Sequence, residues 1–187
     1  MNDVDLRIIN CTVKVFNLKK AQATTDDVCK MANIAKGTLF NHFKSKDILL
    51  EETYLYCNTA LIIDLKEDMF DNLNFYESLS RIIYLTSAKA IEIPDYVHFV
   101  EQYHNYKGQS PMSTKYYKEN YKGVLSYPKI YNFIKENYNK NLPLEFILMV
   151  TSNTIYQTHN YLIDNPEKIK DTVFMNSIID YIYHLMF

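Results

Sequence analysis

Apolar side chains recur near the N-terminus at Val4, Ile8, Cys11, Val15 and Leu18, steps of three and four residues that trace one face of a helix over 3–18. Thr24-Thr25-Asp26-Asp27 then starts a second, short helix. A Thr24 hydroxyl can accept an unpaired first-turn amide, and Asp27, three residues on, can answer it as in a capping box. That helix should end near Ala32, because Asn33 tolerates the left-handed conformation that closes a turn. The string Lys36-Gly37-Thr38-Leu39-Phe40-Asn41-His42-Phe43 predicts a third short helix with Leu39 and Phe43 facing inward.

Ser45 caps a long fourth segment, predicted over 46–70, with Leu49, Leu50, Tyr54, Cys57, Leu61 and Leu65 at helical spacing. Further helices are predicted at 75–92 and 95–106, with Pro94 in a first turn. Ser110-Pro111 should open the next, with Gly123 and Pro128 breaking or kinking it. Pro143 starts a segment reaching 164. Asn165-Pro166-Glu167, a cap, a first-turn proline and a dipole-matching acid, should launch the last helix to the C-terminus. No strand is needed, and Gly 3 and Pro 5 in 187 residues leave little material for the turns of a sheet. The expected fold is therefore all-α, with about nine helices.

Charge changes the picture by where it lies. The formal net charge is −2, yet residues 1–50 carry a net +3 and the remainder a net −5. A small anion-binding head on an acidic body fits that asymmetry. Two short helices joined by a tight turn, the second beginning at Lys36, form a helix-turn-helix pattern whose second helix can enter a major groove. No apolar run approaches the roughly 20 residues of a membrane span, and Asp3 and Asp5 stand where a signal peptide would be basic. The expectation is a cytoplasmic chain without membrane contact. Cys11, Cys29 and Cys57 match neither a disulfide framework nor a metal pair, and read as reduced core residues. Tyr 17 is a high count, but a codon bias toward adenine and thymine enriches the same residue, so abundance alone marks no binding site.

The run from Thr24 to Cys29, continued through Lys36-Gly37-Thr38-Leu39-Phe40-Asn41-His42-Phe43-Lys44-Ser45-Lys46-Asp47, closely resembles the signature of the TetR family of one-component transcriptional regulators. The likeness covers residues 6–50 and implies a three-helix DNA-binding head at 1–46 followed by a helical ligand-binding and dimerisation body at 47–187. It implies DNA contacts from Thr25, Lys36, Gly37, Thr38, Phe40, Asn41, His42 and Lys46, with Asn41 the candidate for base readout and Lys46 for a phosphate at the start of helix four. His42 falls where the family usually has an aromatic phosphate contact. This chain departs from the pattern at Ala35, where the family has a capping serine, at Phe40, which lacks the usual tyrosine hydroxyl, and at Lys20, Ala21 and Asn33, where it has glycine, an aromatic and glycine.

The resemblance further implies a repressor that binds a pseudo-palindromic operator as a homodimer through its last two helices and is released by a small-molecule effector. Leu144, Ile147, Leu148, Thr151, Ile155 and Leu162, with Ile169, Val173, Ile178, Ile182 and Leu185, supply apolar faces for that bundle or for an ordinary core. Tyr96, Phe99, Tyr103, His104, Tyr117 and Tyr121 are candidate ligand contacts, each an aromatic ring, most with a polar tip. An enzyme or metal reading would use Glu101 and His104, a Glu-x-x-His spacing found in di-iron bundles, but no second copy of it occurs. A third reading is a helical interaction module that binds no DNA. No catalytic residue, cofactor or metal is expected.

Overall fold

The structure, a computed structural model, describes residues 2–62, 65–107 and 128–187. Nine α-helices lie among the described residues: α1 Asp3–Lys19, α2 Thr25–Ala32, α3 Lys36–His42, α4 Lys46–Ile62, α5 Phe75–Glu92, α6 Pro94–Lys107, α7 Pro128–Asn137, α8 Leu144–Asp164 and α9 Thr172–Met186. Local chemistry sets most of their starts. Asn2 and Asp5 make a reciprocal capping box on α1, Thr24 and Asp27 on α2, and Asn74 and Glu77 on α5. Ser45 Oγ accepts the Ile48 amide at 3.2 Å at the start of α4.

Three expectations change. The fourth helix stops at Ile62 rather than reaching residue 70; the chain then uses tighter i→i+3 bonds, Leu65 N to Ile62 O and Met69 N to Lys66 O, which bring Leu65 and Phe70 inward around the 3₁₀ turn Glu67–Phe70. The last helix begins at Thr172, because Asp171 takes the cap by accepting the Phe174 amide at 3.0 Å, while Asn165 turns its side-chain amide back onto Tyr161 O. Pro166–Lys170 is a separate 3₁₀ segment. Pro128 stands first in α7, as suits a residue with no amide to satisfy; Ser110, Pro111 and Gly123, and with them the helix that Gly123 and Pro128 were expected to break or kink, lie outside the described residues. Leu18, placed on the buried face of α1, is 76% exposed, and Cys11 is partly exposed. The buried arc is Ile8, Ile9, Thr12, Val13, Val15 and Phe16, wider than one stripe because α1 packs on both α2 and α6.

By packing, the described residues within Met1–Asn58 and Asp95–Tyr121 form one compact unit, and those within Thr59–Pro94 and Lys122–Phe187 form another. The first unit holds the predicted head together with α6. Its core joins Ile8, Ile9, Leu39, Phe43, Leu49 and Leu50, all essentially without solvent contact. The second unit is built on α5, which packs against α7, α8 and α9. Phe75 stacks on Phe133 at 4.4 Å and meets Phe187 edge-on at 5.2 Å, and the Asn139 amide donates to Met186 O, tying the C-terminus to the loop after α7. Such ring pairs contribute about 0.5–1.5 kcal/mol each beyond the area they bury.

Candidate nucleic-acid interface

The α2–turn–α3 unit is fixed at both ends of α2. At its start Asp27 accepts from the Thr24 hydroxyl at 2.7 Å and from the Lys19 ammonium, which pins the end of α1 to α2. The Lys19 ammonium, with the Thr24 hydroxyl and amide, holds the Asp27 carboxyl down at about 2. At its end Asn33 adopts φ 51, ψ 54, and the Ile34 amide donates to Cys29 O at 3.1 Å, so the asparagine supplies the left-handed turn expected of it. The chain then enters α3 from Ala35, which makes no side-chain cap bond.

Leu39 and Phe43 are buried, and this decides the direction of the rest of α3. Lys36, Gly37 and Asn41 are exposed; Thr38, Phe40 and His42 are half-buried, as is Thr25 at the first position of α2. Of the predicted contact residues of α3, Lys36, Gly37 and Asn41 thus face outward, while Thr38, Phe40 and His42 flank the packed face. Lys36 Nζ rests on Asp26 at 2.8 Å, a pair exposed on both sides and therefore easily exchanged for another anion.

Two predicted contacts are held by partners the sequence did not indicate. His42 Nδ1 lies 2.6 Å from Asp5 Oδ1, 37 residues earlier on α1, and Asp5 also accepts the Asn2 amide at 2.9 Å. The Asn2 amide, with the His42 ring, lowers the Asp5 carboxyl below its usual range against the opposing effect of burial. Lys46 Nζ donates to Ala23 O at 2.8 Å and sits 5.6 and 5.2 Å from the ring centres of Phe16 and Tyr106. Its ammonium therefore fastens the start of α4 to the head, and a phosphate there would have to draw it from a carbonyl.

The candidate ligand residues divide. Phe99 and Tyr103 are buried in the first unit, Phe99 edge-on to Phe16 at 5.7 Å and Tyr103 against Tyr54 at 4.9 Å. The Tyr96 hydroxyl donates to Asn10 Oδ1 at 2.9 Å, and burial, with the Tyr56 hydroxyl, raises its phenol well above the usual range. Asn17 Nδ2 adds a bond to Asp95 O at 2.8 Å, so α6 is joined to α1 by two polar bonds and an aromatic core. His104 lies on α6; Tyr117 and Tyr121 lie outside the described residues. Among the described residues no three His, Cys, Asp or Glu side chains gather as a metal site, and no helix is long and apolar enough to cross a membrane.

These features define a helix-turn-helix head on a helical body. Residues 8–53 match the sequence model of bacterial regulatory proteins, tetR family. A helix-turn-helix-type transcriptional regulator of Bacillus subtilis (strain 168), YhgD, is 34% identical over 82 residues, a match spanning 41% of this chain and 41% of that one. A structure described as a TetR-family transcription regulator from Shewanella sp. PV-4 superposes with a TM-score of 0.73 at 17% identity, covering 99% of this chain and 98% of that one. The regulator FadR of Bacillus subtilis, solved in complex with stearoyl-CoA, gives 0.61 at 17% identity over 95% and 96% of the two chains. Over residues 8–53 the chain is therefore similar to the tetR family of regulatory proteins, and its fold is the one those solved regulators share; the match to the curated relative spans less than half of either chain.

Proposed function

We propose that this chain binds a pseudo-palindromic DNA operator as a homodimer, represses transcription from it, and is released by a small-molecule effector. The observation that carries the DNA-binding part is Gly37. A Cβ built on it meets nothing within 4 Å, and its φ is not positive. Neither packing nor backbone conformation within the chain therefore requires glycine, although glycine within a helix is less favourable than alanine by about 0.5–1 kcal/mol. A partner's backbone approaching α3 at that point accounts for it. Lys36, Thr25 and Thr38 are then phosphate contacts, and Asn41, exposed near the end of the same side, reads base edges. Phe40 offers only apolar contact, and Lys46 supports the head from behind and competes between Ala23 O and phosphate.

The effector part rests on α6. Because Asn17, Asn10 and Phe16 of α1 hold Asp95, Tyr96 and Phe99, a ligand that displaces α6 moves the first helix of the head. A protein of this fold holds stearoyl-CoA, which makes a largely apolar effector a reasonable class. The test of the DNA-binding part is Gly37→Ala. Its thermal stability should equal or exceed that of the native protein, while affinity for duplex DNA, measured by fluorescence anisotropy, should fall at least about tenfold, 1.4 kcal/mol. Native affinity in a stabilised variant would refute the assignment of α3 to the groove.

A further inference from the structure

The Thr86 hydroxyl on α5 donates its single proton within its own helix, to Ile82 O at 2.8 Å with Ile83 O at 3.4 Å. Towards His159 Nε2, 3.2 Å away on α8, it can therefore only accept. The ring proton then sits on Nε2, and Nδ1 is left as a bare lone pair. Nδ1 is buried and has no hydrogen-bond partner among the described residues. A buried acceptor without a donor is costly and rare in folded proteins. Nor is it alone. Among the described residues of the second unit, every buried polar side chain lies on α5 or α8: Ser78, Thr86 and Ser87 on the first, Thr151, Thr158 and His159 on the second. Ser87 Oγ and Thr151 Oγ1 are likewise without partners. Thr151 and His159 stand about 12 Å apart along α8, too far for one water to serve both.

We propose that the seam between α5 and α8 binds an uncharged, largely apolar molecule whose hydroxyl or amide N–H donates to His159 Nδ1. The two helices pack directly on each other, and Ile82, Ile83 and Leu162, buried on them, suit the apolar part of such a molecule. Thr86 is the positioning residue, because by accepting Nε2–H it keeps the lone pair on Nδ1. The absence of charge follows from the walls. None of the six buried polar side chains carries a charge at pH 7, since burial holds the His159 imidazole down at about 4. A carboxylate of the same length is thus excluded twice: it has no proton for Nδ1, and its own charge would be buried without a cation. The site lies wholly in the second unit and does not depend on the effector argument drawn from α6 in the first.

The test uses the full-length protein at pH 7 and three probes of one chain length, 1-decanol, decanamide and sodium decanoate. In long-range proton–nitrogen NMR spectra His159 should show a protonated Nε2 and a bare Nδ1, and the two neutral probes should move the Nδ1 signal. By calorimetric titration both neutral probes should bind saturably and at least about tenfold more tightly than decanoate. His159→Leu should weaken 1-decanol about tenfold, the loss of one hydrogen bond. His159→Gln, whose amide donates to Thr86 and whose oxygen accepts in place of Nδ1, should stay within about threefold of the native protein; this comparison and the native spectra decide the matter if the leucine variant does not fold. A proton on Nδ1, an Nδ1 signal that neither neutral probe moves (an internal water only), decanoate binding as tightly as 1-decanol, or native affinity for 1-decanol in folded His159→Leu each overturns the proposal. DNA affinity is no part of the readout, so these outcomes leave the DNA-binding reading where it stands.

Discussion

His159 sits on α8 with 2% of its surface exposed and Nε2 3.2 Å from the Thr86 hydroxyl of α5. Burial holds its pKa down at about 4. In the unfolded chain it returns to the ordinary imidazole value near 6.5, so between about pH 6.5 and 4 the unfolded state binds the proton and the folded state does not. Stability is therefore present above about pH 6.5 and lost as pH falls toward 4, by as much as about 3 kcal/mol. Urea unfolding at pH 7 and pH 4.5 should show a smaller loss for His159→Gln, which keeps a group able to bond Thr86, than for the native protein. Equal losses would mean that His159 is not the group responsible. None of this was legible in the sequence: a histidine flanked by threonine and asparagine gives no sign of burial, and its partner lies 73 positions away.

The elements were most legible where a cap and an apolar period agree. The starts of α2 and α4 follow Thr24 and Ser45, and α6 begins at Pro94. They were least legible where two caps compete, as Asn165 and Asp171 do before α9, or where apolar residues continue past a helix end in a 3₁₀ turn, as Leu65 and Phe70 do after α4. Within the candidate site the outward residues of α3 could be read from Leu39 and Phe43 pointing inward. The partners Asp5 and Ala23 could not, because periodicity reports which face is buried and not what it meets. The turn after α1 holds a cost that the sequence did suggest: Lys20 adopts φ 53, ψ −132, a region that disfavours any side chain. Lys20→Gly should raise stability by about 1 kcal/mol, read as an increase in denaturation midpoint. An unchanged or lower midpoint would show that the turn is not strained.

At the scale of the molecule, the helices expected to dimerise carry both buried and exposed apolar side chains. Ile147, Thr151 and Leu162 of α8 and Ile182 of α9 are buried within their own unit. Phe146, Met149 and Tyr161 on α8 and Val173 and Tyr181 on α9 remain exposed, with Val173 at 76%. Large apolar side chains left exposed on the last two long helices support pairing with a second copy. Two heads are also what a short recognition helix needs, since each reads only a few base pairs. Selection of duplexes from a random DNA library by the full-length protein tests the central claim, a two-fold pair of α3 helices in successive major grooves. The account predicts enrichment of two inverted half-sites whose centres are about 34 Å, one helical turn, or a small multiple apart. Recovery of no enriched sequence at low salt, or of a lone half-site without a symmetric partner, would contradict it.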